Sequence, residues 1–412
     1  MSQLPKLDVD FARGHFPSLA DGWALFENAG GTLAAQPVID RLHAYVSQTM
    51  IQPGGPFDPS ELAAERIAES QRLMAEMINA APDEVMIGPS TTMNVYLLSQ
   101  AIRPWFQPGD EIIVTNMDHE ANNSAWRRLA EIGVTVKEWR FNPDTIELEP
   151  EDLDALLTER TRLVCVTHCS NITGSLHDAA ALARKVHEAG ALICMDGVAY
   201  APHRQIDVKA WDVDFYLCSL YKFYGPHLAM LYGKREHLLR AKGQNHFFVG
   251  EDDIPLKLNP GGVNHELTAS ASGIAAYFDT LFEHHFQDTN LPLHGRVSRV
   301  YELIAEHEAE VGKPLIDLLE SKPNVRIIGR RTADKDKRVP TISFVVEGRQ
   351  SATIPDALRQ HKLGLRADDF YAARLIRDLG LEPQGGVVRA SMVHYTTPEE
   401  VERLTRHLEP LL

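Results

Sequence analysis

Strand-like and helical stretches alternate along this 412-residue chain from about residue 80 to 265, and that rhythm restricts the fold more than any other feature. Residues 111–115, 134–139, 162–168, 191–195, 215–218 and 229–232 read as strands, with helical patterns such as 151–158 and 178–189 between them. Gly190 closes the second helix as a C-cap. Such a βα order predicts an α/β fold, with a mainly parallel sheet flanked by helices on both faces. Further on, 268–285 and 298–311 read as helices, with Gly312 and Pro314 as punctuation before a shorter turn to Leu319. Strands at 325–328, 341–346 and 387–391 with helical 356–361 and 370–378 predict a smaller α+β domain. Thr397-Pro-Glu-Glu opens the last helix with a cap, a proline at its first position and acids in its first turn.

Open parallel sheets bind ligands beyond the carboxyl ends of their strands. Two strand ends here carry polar residues. One apolar run ends in Asp196, and Ser219-Leu-Tyr-Lys222 follows the next. A lysine partly desolvated at such a place has its charged form disfavoured and becomes a nucleophile. The chemistry that most often uses it is a Schiff base with a carbonyl, above all that of pyridoxal 5'-phosphate (PLP). PLP also wants an acid beside its pyridine nitrogen, which Asp196 supplies. Alone, Lys222 reads as a solvated loop residue and Asp196 as a turn residue before Gly197. Neither reading accounts for the pair.

Ser90-Thr-Thr92 follows the apolar run Val85-Met-Ile and opens an amphipathic helix. Free N–H groups and threonine hydroxyls there favour a phosphate, the plain alternative being an ordinary N-cap. These stretches, with Phe26-Glu-Asn-Ala-Gly-Gly31, Asp118-His-Glu-Ala-Asn122, Ser170-Asn-Ile-Thr-Gly174, Met195-Asp-Gly197 and Val388-Arg-Ala-Ser391, form an ordered series over nearly the whole chain. In that order and spacing the chain resembles class V aminotransferase-type PLP enzymes of fold type I, in particular the cysteine desulfurase-like group.

The resemblance implies that Lys222 forms the Schiff base, Asp196 pairs with the pyridine nitrogen and His119 stacks on the ring. Thr91, Thr92, Ser219 and Tyr221 would reach the phosphate, Asn171 would lie near the ring oxygen, and Arg389 would hold the substrate's α-carboxylate. Asn28 and Tyr371 would lie on the substrate side. A homodimer with shared sites is implied, as are an N-terminal segment 1–27 packed on a small domain 271–412 and a large PLP-binding domain 28–270. The departures fall on the reaction-specific parts. Tyr371 falls near the position of the desulfurase nucleophilic cysteine, Ala199 replaces a glutamine, Tyr221 a histidine and Gly262 a threonine. The four cysteines, Cys165, Cys169, Cys194 and Cys218, all precede Lys222. They read as buried thiols of a reducing compartment, without a metal site.

A net charge of -16 argues against a nucleic-acid or anionic-membrane surface. No apolar stretch is long enough to span a membrane, and the first residues lack a signal-peptide pattern, so a cytoplasmic location is expected. No Gly-x-Gly-x-x-Gly follows the first strand, which disfavours a dinucleotide. The expected function is a PLP enzyme acting on a small amino acid through an external aldimine, with α-proton abstraction by Lys222 and a transamination or β-elimination outcome. A desulfurase using another thiol, a racemase or epimerase, and a non-catalytic scaffold are the alternatives.

Overall fold

The computed structural model describes residues 4–287 and 290–412. From edge to edge its seven-stranded sheet runs Val85–Gly88, Ala229–Gly233, Phe215–Ser219, Leu192–Asp196, Thr161–Thr167, Glu111–Thr115 and Thr135–Trp139. The last five are parallel to one another, whereas Ala229–Gly233 is antiparallel to both neighbours. Chain length explains the exception. Parallel strands need a crossover of a dozen or more residues, and the link from Ser219 to Ala229 is too short for one. Lys222 lies in that link, in the tight turn Leu220–Lys222. Most of these strands are buried along their whole length, which is why they read as continuous apolar runs.

A four-stranded antiparallel sheet runs Arg366–Asp368, Val387–Ser391, Thr341–Val346 and Val325–Ile328. Its core joins Ile342, Phe344 and Val388 to Leu315 and Leu319 of one helix and Leu404 and Leu408 of another. The first of those helices, Leu293–Glu320, departs from expectation by running unbroken through Gly312 and Pro314. Proline removes one hydrogen bond there, but Val311, Leu315, Ile316 and Leu319 are all buried and hold the helix on course. Residues 370–378 also differ, because the helix covers only Ala373–Asp378 and a short strand, Arg366–Asp368, precedes it. The stretch 268–285 is split into His265–Ser270 and Ser272–His285, and 151–158 shortens to Pro150–Asp154.

Near the N-terminus, Ala24–Leu25 pairs in parallel with Leu363–Gly364, and Glu27 bridges to Ser391. The two sheets meet along residues 172–174. Ser343 Oγ donates to Ile172 O at 2.6 Å, buried Arg338 to Thr173 O at 3.1 Å, and Val339 N to Gly174 O at 2.9 Å. Gly174 has φ +69°, and a Cβ there would stand 2.5 Å from Thr341 O. Among the described residues no helix is long and apolar enough to cross a membrane.

Candidate active site

The carboxyl ends of neighbouring strands bring the distant motifs together. Asp196 ends Leu192–Asp196, Ser219 ends Phe215–Ser219, and His119 and Asn171 follow Glu111–Thr115 and Thr161–Thr167. Thr91 begins the helix Thr91–Ile102, whose N-cap Ser90 accepts from Met93 N. Every residue that the sequence places around a cofactor lines one cavity of about 490 Å³. A second cavity of about 430 Å³ shares His119, Asn171, Tyr221 and Lys222 with it and adds Arg389 and Tyr371. Asn28 lines neither. Its amide donates to Leu25 O and Ser391 O and accepts from Tyr395 Oη, so it ties the N-terminal segment to the small sheet.

Burial sets the charges. Lys222 is 8% exposed, with no hydrogen bond or ion pair among the described residues. Its amine is pushed down to about 8, by burial first and the Arg389 charge second. Burial raises Asp196 to about 6, against the Val198 N–H donating to its Oδ1 at 2.8 Å. His119 is lowered to about 3 by burial and by the Lys222 and Arg389 charges, so its ring is neutral. His119 Nδ1 accepts from Ala121 N at 3.0 Å, which leaves the proton on Nε2. Thr91 Oγ1 and Ser219 Oγ share a hydrogen bond of 2.7 Å at the cavity wall.

Arg389 is buried, with its guanidinium carbon 3.6 Å from the centroid of the Phe370 ring. Nη1 donates to Asn171 O at 3.1 Å and Nη2 to Glu27 Oε1 at 2.9 Å. Asn171 Nδ2 donates in turn to Phe370 O at 2.9 Å. Phe370 and Tyr371 have φ +50° and +60°, a region that side chains other than glycine rarely enter. Glu120 N donates to Tyr371 O at 2.8 Å, and the Tyr371 ring lies 5.3 Å from that of His119 at 29°.

Three site residues escaped the sequence reading. Glu27 lies inside the early motif 26–31, of which only Asn28 was singled out, Phe370 in a stretch read as helix, and Asp118 beside His119. Asp118 is buried, accepts from Asn122 Nδ2 at 2.8 Å and from Thr115 Oγ1, and is raised to about 7 by burial and the nearby Asp196. An acidic residue heading a histidine motif was the available signal for it. All four cysteines are buried. Cys169 lines the first cavity, with its thiol pushed well up by burial.

Residues 24–290 and 297–404 match the model of the aminotransferase class-V family. The chain belongs to that family. Class V aminotransferases are PLP-dependent, and this member sits in their cysteine desulfurase-like group. Aminotransferase-like protein FGM3 of Gibberella zeae is 38% identical over 99% of this chain and 99% of its own length. Cysteine desulfurase-like protein ustD of Aspergillus flavus is 34% identical over 98% of this chain and 91% of its own. The cysteine desulfurase CsdA of Escherichia coli shares the fold with a TM-score of 0.83 at 24% identity, over 98% of each chain. The apo cysteine desulfurase of Thermococcus onnurineus gives 0.86 at 23% identity, over 100% of this chain and 99% of that one.

Proposed function

We infer that this class V enzyme binds PLP in the larger cavity and acts on a small amino acid, by transamination or by β-elimination of the C–S lyase type. The observation that carries the reading is a buried amine, Lys222, without an ion pair, lining one cavity with the carboxylate of Asp196 and opening onto buried Arg389. The donor set suits the group. Thr91, Thr92 and Ser219 bring hydroxyls and a helix N-terminus for a phosphate, with Tyr221 beside them. Neutral His119 offers a flat face, and Asn171 a polar wall.

Bound there, PLP supplies an electron sink that makes the α-proton of an attached amino acid acidic. Lys222, with a pKa of about 8, is neutral often enough near pH 7 to take that proton and return it elsewhere. Asp196, at about 6, is charged at pH 7 and can hold a cationic N–H. Arg389 fixes the α-carboxylate, and Tyr371 borders the substrate. Return of the proton to the α-carbon would make a racemase, and that outcome shares every residue named. Desulfuration through a chain thiol is disfavoured because Cys169 is held in its thiol form. We assign residues 1–27 to the small domain 271–412 and 28–270 to the large one, and infer a homodimer whose subunits meet near the exposed Phe247 and Phe248.

The test is the visible absorption spectrum of PLP-loaded protein, titrated with a panel of amino acids. A yellow band that shifts with one class of amino acid, and is absent in Lys222→Ala, is expected. The product then separates a keto acid from an eliminated group. A protein that takes up no PLP sinks the reading.

A further inference from the structure

Arg389 and Glu27 meet by only half of what they offer. Glu27 Oε1 accepts one hydrogen bond from Arg389 Nη2 and stands 3.6 Å from Arg366 Nη1. Among the described residues, Arg389 Nε is buried without an acceptor, and Glu27 Oε2 is buried without a donor. A guanidinium and a carboxylate paired only for stability would close both bonds of the fork. Buried polar groups left open in a native fold call for an explanation, and here the two residues that carry the open donor and the open acceptor line one cavity with Lys222. The partners they lack are a carboxylate for Arg389 and a proton donor for Glu27. An α-amino acid carries both on one carbon.

We propose that Glu27 takes the proton of the incoming α-ammonium group on its free oxygen, and thereby surrenders Arg389 to the α-carboxylate. This rests on the amino-acid reading above. One N–H bond breaks and its electron pair stays on nitrogen, as the lone pair needed to attack the carbon of a Schiff base. The proton forms an O–H bond at Oε2, so the total charge of the site with its substrate is unchanged. A neutral carboxyl no longer competes for Nη2, and the substrate carboxylate takes Nη2 together with the open Nε. Gly30 leaves the room that Glu27 needs, since a Cβ there would stand 2.5 Å from Oε1.

The charged groups around Glu27 come from three elements. Arg389 lies on Val387–Ser391, Arg366 and Asp368 on Arg366–Asp368, and Lys222 on the turn Leu220–Lys222, while His119 and Tyr371 line the same cavity. Burial holds the Glu27 carboxyl above its ordinary range against the pull of Arg389, Arg366 and Lys222. That direction favours a group able to hold a proton.

Two measurements test the proposal. In PLP-loaded protein, the rate of the spectral change with L-alanine should fall about 100-fold in Glu27→Gln at neutral pH. It should recover as alkaline solution frees the amine, while hydroxylamine, already neutral, reacts equally with both proteins. Equal slowing with both amines, or none with alanine, overturns the role. Secondly, acetate has no ammonium, so its binding to cofactor-free wild type should draw about one proton from solution, measured by calorimetry in buffers of different ionisation enthalpy. Glu27→Gln should bind acetate with no proton uptake. Binding to wild type without uptake overturns the proposal. Failure of the wild type to load PLP sinks the cofactor reading instead, and the acetate result still judges the hold of Glu27 on Arg389.

Discussion

Lys222 is the residue whose environment reaches beyond the site. Its amine sits near 8 in the folded chain, below the ordinary lysine value of about 10.4. Below pH 8 the fold must carry a buried charge. Between about 8 and 10.4 the folded lysine is neutral while the unfolded one keeps its proton, so stability rises with pH across that window. Urea unfolding of cofactor-free protein should show this rise, on the order of 3 kcal/mol, and Lys222→Met should remove it from the difference curve. Lysine and aspartate at strand ends were legible because sequence distance matters little when neighbouring strands align their ends. The Glu27–Arg389 contact was not, because it joins residues 362 positions apart with no pattern linking them.

At the scale of elements, the strongest local signals belonged to segments whose own residues decide their state. The final helix, Pro398–Leu408, has a complete capping box, in which Glu400 N donates to Thr397 Oγ1 at 3.2 Å and Thr397 N to Glu400 Oε2 at 3.0 Å. Thr397→Ala should cost about 1 kcal/mol in denaturant unfolding and leave the PLP spectrum unchanged. The large-sheet strands were legible for a related reason, since burial on both faces writes itself as an apolar run. Elements fixed by distant packing were not. Pro314 looks like a break until the buried face of its helix is known. Residues 370 and 371 look like the start of a helix, yet both are left-handed and follow a paired strand, Arg366–Asp368.

The whole molecule divides the candidate site between its two sheets. Lys222 and Asp196 belong to the large one, Arg389 to the small one, and the 172–174 seam joins them. Gly174 stands at that seam with no space for a side chain. Gly174→Ala would meet the Thr341 carbonyl in a backbone conformation that alanine resists, and should lower stability by about 2 kcal/mol or more, read from thermal unfolding. The same substitution bears on selectivity. On the proposed reading, with Arg389 holding the carboxylate from one sheet and Lys222 meeting the amine from the other, the seam would act as a gauge of how many carbons separate the two groups. Side-chain size does not enter that measure. Such an arrangement would tell α-amino acids from β-amino acids by the spacing of its halves, and a methyl wedged at residue 174 should loosen that discrimination in a paired assay of the two.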